Sequence, residues 1–181
     1  MGYSLRGGKP ETASWFKDRE DTIKRVLDIG AGSGTYIKLI KEEFNLCKDS
    51  VWVGIEAWLP YIDKFKLNSM YDTIINQDAR TLNWEALGKF DVTIAGDVLE
   101  HMTKNDAIVL VDNILKNSKF LIISIPIIYM PQDEIEGNPF EIHVKPDWSH
   151  EEVLETWGTK IKKIHRKSPK SKIAVYWLSN D

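Results

Sequence analysis

At 181 residues the chain can bury one good core but not two, and its 43% hydrophobic and 28% charged residues are those of an ordinary globular protein. A formal net charge of −3 supplies no global attraction for nucleic acid, and the single cysteine, Cys47, excludes an internal disulfide and a cysteine-based metal cluster. No apolar run nears the roughly 20 residues that cross a bilayer, and residues 1–10 lack the apolar stretch of a signal peptide, so a cytoplasmic protein is expected.

In chain order, Pro10 opens a first helix inside an N-terminal helical cover, residues 1–24, with Ala13, Trp15 and Phe16 as its apolar surface. Residues 25–29 read as the first strand, and 35–44 as a helix with Ile37, Ile40 and Phe44 on one face. Residues 51–56 form a second strand, followed by a short helix after Pro60, and 72–76 form a third. Residues 90–95 make the fourth strand; behind it a helix over 106–116 repeats Ile108, Val111 and Leu115 at helical spacing. Residues 120–125 run continuously apolar, as a central parallel strand does.

Residues 126–148 then make a long connection punctuated by Pro126, Pro131, Gly137, Pro139 and Pro146. Connections of this length usually cover or bind something, here a substrate-side loop. Ser149 with Glu152 is a capping box opening a helix that Gly158 can close. Residues 161–165 and 173–178 are linked around Ser168-Pro169-Lys170 so tightly that only an antiparallel hairpin fits. Strands alternating with helices predict an α/β protein with a largely parallel sheet, organised as one domain over 1–181.

The densest chemical signal is Asp28-Ile29-Gly30-Ala31-Gly32-Ser33-Gly34, running from the first strand into a helix. Glycines there let the backbone turn tightly and let a ligand approach without meeting a Cβ. Asp28, at the strand's end, can hold an ammonium group or order the loop. Glu56 ends the second strand, next to Ala57, where a carboxylate can accept both hydroxyls of a ribose. Asp78-Ala79 follows the third strand, within reach of an adenine amino group. Open α/β sheets bind ligands at this carboxyl edge, so the set predicts a nucleoside-binding site.

These segments resemble the class I S-adenosylmethionine-dependent methyltransferase family over nearly the whole chain, in the manner of its small single-domain bacterial and phage members. Asp28 to Gly34 resembles the family's first motif, Glu56 its ribose-binding acid, Asp78-Ala79 its adenine-side motif, and residues 90–101 its fourth-strand motif. The resemblance implies a Rossmann-like three-layer sandwich whose seven-stranded, mostly parallel sheet ends in an antiparallel hairpin. It also implies S-adenosylmethionine as cofactor, S-adenosylhomocysteine as product, and Asp97 beside the cofactor. A dehydrogenase would need a glycine where Thr35 stands, and no Tyr-x-x-x-Lys pair occurs.

Methyl transfer to a hydroxyl or a protonated amine gains from a proton acceptor. Glu100 and His101 beyond the fourth strand, with His143 in the long loop, are the candidates, and Glu141 accompanies them. If 97–101 is helical, Asp97, Glu100 and His101 share a face and could hold a divalent ion with His143. That run resembles the Glu-x-x-Glu-His metal motif of small-RNA 2′-O-methyltransferases and ubiquinone-pathway O-methyltransferases, with Asp97 in the first position. A metal-assisted RNA 2′-O-methyltransferase and a non-catalytic cofactor-binding protein therefore stand as alternatives. The segment 97–100 is not the Asn/Asp-Pro-Pro-Tyr motif of DNA amino-methyltransferases, and Cys47 is no cytosine-methylating nucleophile. The basic stretch 160–172 admits RNA, but such charge also keeps sheet edges from pairing. A small-molecule or sugar-like acceptor, methylated on O or N, is expected.

Overall fold

A computed structural model describes residues 7–180; the first six residues of the expected cover, and most of the segment read for a leader, lie outside the described residues. Seven strands form one sheet: β1 (Arg25–Ile29), β2 (Val51–Glu56), β3 (Thr73–Asn76), β4 (Phe90–Gly96), β5 (Ser118–Pro126), β6 (Ile161–His165) and β7 (Ile173–Leu178). Their order is β3-β2-β1-β4-β5-β7-β6, and β1 to β5 are parallel. The last strand enters antiparallel between β5 and β6, so the hairpin closes the sheet as expected. All six residues of β7 are buried, while β6 lies at the edge with Lys162 and Lys163 outward.

Helices cover both faces. On one side lie α1 (Lys9–Lys17), α2 (Thr35–Ile37) and α3 (Leu59–Lys64), whose Phe16, Tyr36, Ile37 and Ile62 pack with Val26, Val92 and Ile122 of the strands. On the other lie α4 (Trp84–Leu87), α5 (Lys104–Asn117) and α6 (His150–Trp157), which bury Ile114, Val153 and Trp157 against Leu27, Ile123 and Tyr176. Thr103 and Ser149 cap α5 and α6 by accepting from the N–H groups of Asp106 and Glu152. No helix of the described residues is long and apolar enough to cross a membrane.

Three local expectations change. The helix expected over 35–44 is α-helical for one turn only, then widens into a π-helix, Lys38–Glu43, with Phe44 N–H donating to the Leu39 carbonyl. The wider turn rotates Phe44 off the buried stripe, and its side chain stands 43% exposed beside buried Ile37 and Ile40. On α5 the buried stripe runs through Ala107, Leu110, Val111, Ile114 and Leu115, with Ile108 only half-buried at its border. The third helix begins at Leu59 rather than after Pro60, since proline is accommodated in a helix's first turn.

Candidate functional site

A cleft opens along the carboxyl ends of β1, β2 and β4, floored by the glycine turn and roofed by the 127–148 connection. Gly30, Ala31 and Gly32 line it with backbone. Gly32 adopts φ +52°, and a Cβ built there would meet nothing nearer than the Gly30 carbonyl at 3.7 Å, so this stretch of chain is bare towards the cleft. At the tip of β4 the constraint is different: a Cβ on Gly96 would lie 2.3 Å from the Tyr36 ring, so only glycine leaves that ring its place in the cleft wall.

Glu56 is 5% exposed and held at both oxygens, Oε2 accepting from Gly32 N–H and Oε1 from Trp58 N–H, each at 2.8 Å. Burial raises its pKa, and those two N–H bonds oppose the rise. Each oxygen keeps a further lone pair for a hydroxyl donor. Ala57 and Ala79 line the same end of the cleft. Asp78 lines it too, although its side chain caps its own turn and grips Arg80 through both oxygens. Burial would raise the Asp78 pKa, but the Arg80 guanidinium and N–H hold it below the usual carboxylate range. Arg80 reaches the cleft wall as well, a residue the strand-end pattern does not reveal.

Two expected site residues stand away from the cleft. Asp28 faces the same layer as Val26, by the alternation of β1, and takes a 2.5 Å hydrogen bond from the Tyr71 hydroxyl. Burial pushes its pKa up to about 7, against the lowering effects of the Tyr71 bond and the Lys9 charge. Gly34 caps α2 at φ +73° and takes no part in the lining. Asp97 does line the cleft, in a left-handed backbone conformation at φ +56°, with its Oδ2 3.1 Å from the Lys9 ammonium.

At the opposite end, Glu100, His101 and His143 converge, their ligand-capable atoms within 4.8 Å of one another. The two imidazoles meet edge to face, centroids 4.9 Å apart. Asp97 is not in this group, because the helical turn begins only at Leu99 and the expected common face over 97–101 does not form. His101 Nδ1 lies 3.2 Å from the Ile142 carbonyl, and His143 Nδ1 lies 2.5 Å from the Met130 carbonyl. A carbonyl only accepts, so in the neutral rings the proton sits on Nδ1 and Nε2 keeps a basic lone pair. Burial, then the neighbouring His143, lowers the His101 pKa to about 4. Glu100 is 2% exposed and neither carboxylate oxygen accepts a hydrogen bond from another of the described residues; burial, then the Asp97 charge, pushes its pKa far up.

Of the loop residues, Met130, Gln132, Asn138, Phe140, Glu141 and His143 line the cleft, whereas Tyr129 and Val144 do not and are 72% and 52% exposed. Asn138, 1% exposed, organises the turn by accepting from Phe140 N–H, and the Gln132 amide donates to the Glu141 carbonyl. Trp58 stays out of the lining and contributes its N–H to Glu56.

With this geometry in hand, the family described as "Methyltransferase domain" matches residues 8–157, so the chain belongs to that family. Its fold is that of the class I, Rossmann-like methyltransferases. The N-terminal domain of EvdMO1, crystallised with S-adenosylhomocysteine, superposes with TM-score 0.70 at 15% identity, covering 97% of this chain and 82% of that one. Magnesium protoporphyrin IX methyltransferase from Synechocystis PCC 6803, with bound S-adenosylmethionine, gives 0.67 at 14% identity, covering 96% and 78%. The plantazolicin methyltransferase BpumL, with S-adenosylhomocysteine, gives 0.67 at 14% identity, covering 96% and 82%. No curated protein matches the sequence.

Proposed function

We propose that the chain moves the methyl group of S-adenosylmethionine to an oxygen or nitrogen of a small-molecule or sugar-like acceptor, leaving S-adenosylhomocysteine. The observation that carries the reading is Glu56: a buried carboxylate fixed by the glycine turn's own N–H, facing a cleft whose floor is bare backbone. Glu56 would accept the ribose hydroxyls, Asp78 and Ala79 would bound the adenine, and Gly30, Ala31 and Gly32 would admit the amino-acid end. When bound, the cofactor supplies a sulfonium methyl already activated for in-line displacement, so the protein's part is chiefly alignment. His101 and His143 would take the acceptor's proton at Nε2, and the depressed His101 pKa keeps that atom available at neutral pH. The family match and the S-adenosylhomocysteine-bound neighbours support the cofactor; D-fucose accompanies one EvdMO1 crystal, which agrees with a sugar-like acceptor.

One observation favours a second reading of the acceptor end. Glu100, His101 and His143 offer two nitrogen ligands and a carboxylate at metal-ligand spacing, and no other described residue donates a hydrogen bond to the Glu100 carboxylate. A divalent cation there would orient the acceptor oxygen. Calorimetry with S-adenosylhomocysteine tests the first claim; failure to bind it or S-adenosylmethionine overturns the enzyme reading. Labelled methyl transfer into fractionated extracts then identifies the acceptor, and indifference of that transfer to chelator and to added Mg²⁺ or Mn²⁺ removes the ion.

A further inference from the structure

Five acidic side chains line the cleft, Glu56, Asp78, Asp97, Glu100 and Glu141, against the single guanidinium of Arg80. The protein itself answers three of them. Arg80 grips Asp78, Lys9 pairs with Asp97, and two backbone N–H groups hold Glu56. Glu100 and Glu141 remain, and the charge of one bears on the other. An uncharged amide, that of Gln132, reaches Glu141 Oε2 at 3.3 Å. The Glu100 carboxylate, 2% exposed, takes a hydrogen bond from no other described residue. A buried polar group left in that state asks for a partner from outside.

The atoms around Glu100 say what kind. His101 and His143 turn Nδ1 towards carbonyls, so each presents the lone pair of Nε2. One ligand-capable atom of each residue lies within 4.8 Å of the others, which makes three acceptors in one small space. A hydroxyl brings one N–H or O–H donor to such a set, whereas an ammonium brings three. A carboxylate or phosphate would instead be set against Glu100 and Glu141, and the lining guanidinium is already committed to Asp78. The site also extends past the three atoms that could hold a metal ion. Glu141 stands outside that set, and Phe140 and Met130 line the cleft beside Glu141 and His143, offering apolar surface to a carbon skeleton.

We propose that the acceptor is an organic amine, entering as an ammonium whose N–H groups face Glu100, His101 and His143, with Glu141 as a second negative charge. The inference rests on the cofactor reading above and narrows its acceptor from oxygen or nitrogen to nitrogen. For an amine the proton goes to Glu100 rather than to an imidazole, because transfer within that buried pair turns two charges into none. The freed nitrogen lone pair then bonds to the methyl carbon, and the carbon–sulfur bond breaks with its electrons to sulfur. The products are a methylammonium, neutral S-adenosylhomocysteine and protonated Glu100.

Labelled methyl transfer into fractionated extracts, run in chelator, reads the chemistry of the product. The label is expected on nitrogen, in a base-stable product that a cation exchanger retains at neutral pH. A label on oxygen, a neutral or anionic product, or transfer that requires added Mg²⁺ or Mn²⁺ overturns the proposal. Where no extract is labelled, binding to the S-adenosylhomocysteine-loaded protein decides. Benzylamine, benzyl alcohol and benzoate share one skeleton, and the imidazole resonances of His101 and His143 report each. Benzylamine is expected to bind at least about tenfold more tightly than the alcohol, with benzoate weakest, and Glu141→Gln should shrink the preference for the amine. Equal binding of amine and alcohol, a preference for benzoate, or no response to benzylamine overturns the assignment. A protein that does not take up S-adenosylhomocysteine defeats the cofactor reading instead.

Discussion

Glu56 and Glu100 are two buried glutamates on one cleft, and they are buried on opposite terms. Glu56, at the end of β2, has each oxygen tied to a backbone N–H. Glu100, just beyond β4, takes a hydrogen bond on neither oxygen from any other of the described residues. The first is an anion built into the fold, its position set by the chain that also forms the glycine turn. The second is a carboxyl group whose partner, whether a proton, a cation or an acceptor hydroxyl, must come from elsewhere. The proposed nucleoside end is therefore complete in the protein alone, and the proposed acceptor end is not.

Several measurements break or sharpen this contrast, beginning with the largest expected effect. His101→Ala and His143→Ala are each expected to lower labelled methyl transfer on the order of a hundredfold while S-adenosylhomocysteine affinity holds. Loss of cofactor affinity in either variant would mean that the two ends are not separate. Glu56→Gln sets an amide nitrogen against the N–H of Gly32 or Trp58, and S-adenosylhomocysteine binding should weaken about tenfold or more. Unchanged affinity would remove Glu56 from the site.

The same substitution at Glu100 should act in the opposite direction. The folded protein raises the pKa of Glu100, so its contribution to stability is greatest below the unfolded value and is lost as pH rises through the folded one. Glu100→Gln is neutral throughout, so its Tm should exceed wild type at pH 8 by several degrees, with the gap closing towards pH 5. A lower Tm at pH 8 would reveal a donor for the ionised carboxylate. The smallest effect is a titration. His101 is held neutral by burial, so its imidazole resonances should move near pH 4, and its contribution to stability should fade as pH drops from 6.5 towards 4. A midpoint at the ordinary value would open the acceptor end to water.

Much of this molecule could be read from periodicity and punctuation. The strands flanking the glycine turn, the Ser149 cap and the reversed final hairpin follow from local patterns that tertiary structure had no reason to override. That Gly30, Gly32, Glu56 and Ala79 come together on the cleft follows for the same reason, from their places at or just beyond strand ends. What escaped depends on rotations and long-range pairs. Phe44 left its stripe because a π-turn changed the helical period, which apolar spacing alone does not signal. Asp97 parted from Glu100 because a single left-handed residue broke the expected helix. Lys9 was invisible, since nothing in its neighbourhood of sequence distinguishes a buried ammonium from a solvated one; its partner is 88 residues away.

The position of β7 also bears on how the protein is made. Ribosomes deliver β5 and β6 before β7: β5 can pair with β4 but keeps its other edge open, and β6 has no neighbour but β7. Until residues 173–178 emerge from the exit tunnel, the strand Leu121 to Ile125 offers its hydrogen-bonding row to any passing chain. Nascent protein should thus be most prone to clumping, and most in need of a chaperone, in the short interval before its final strand slides home.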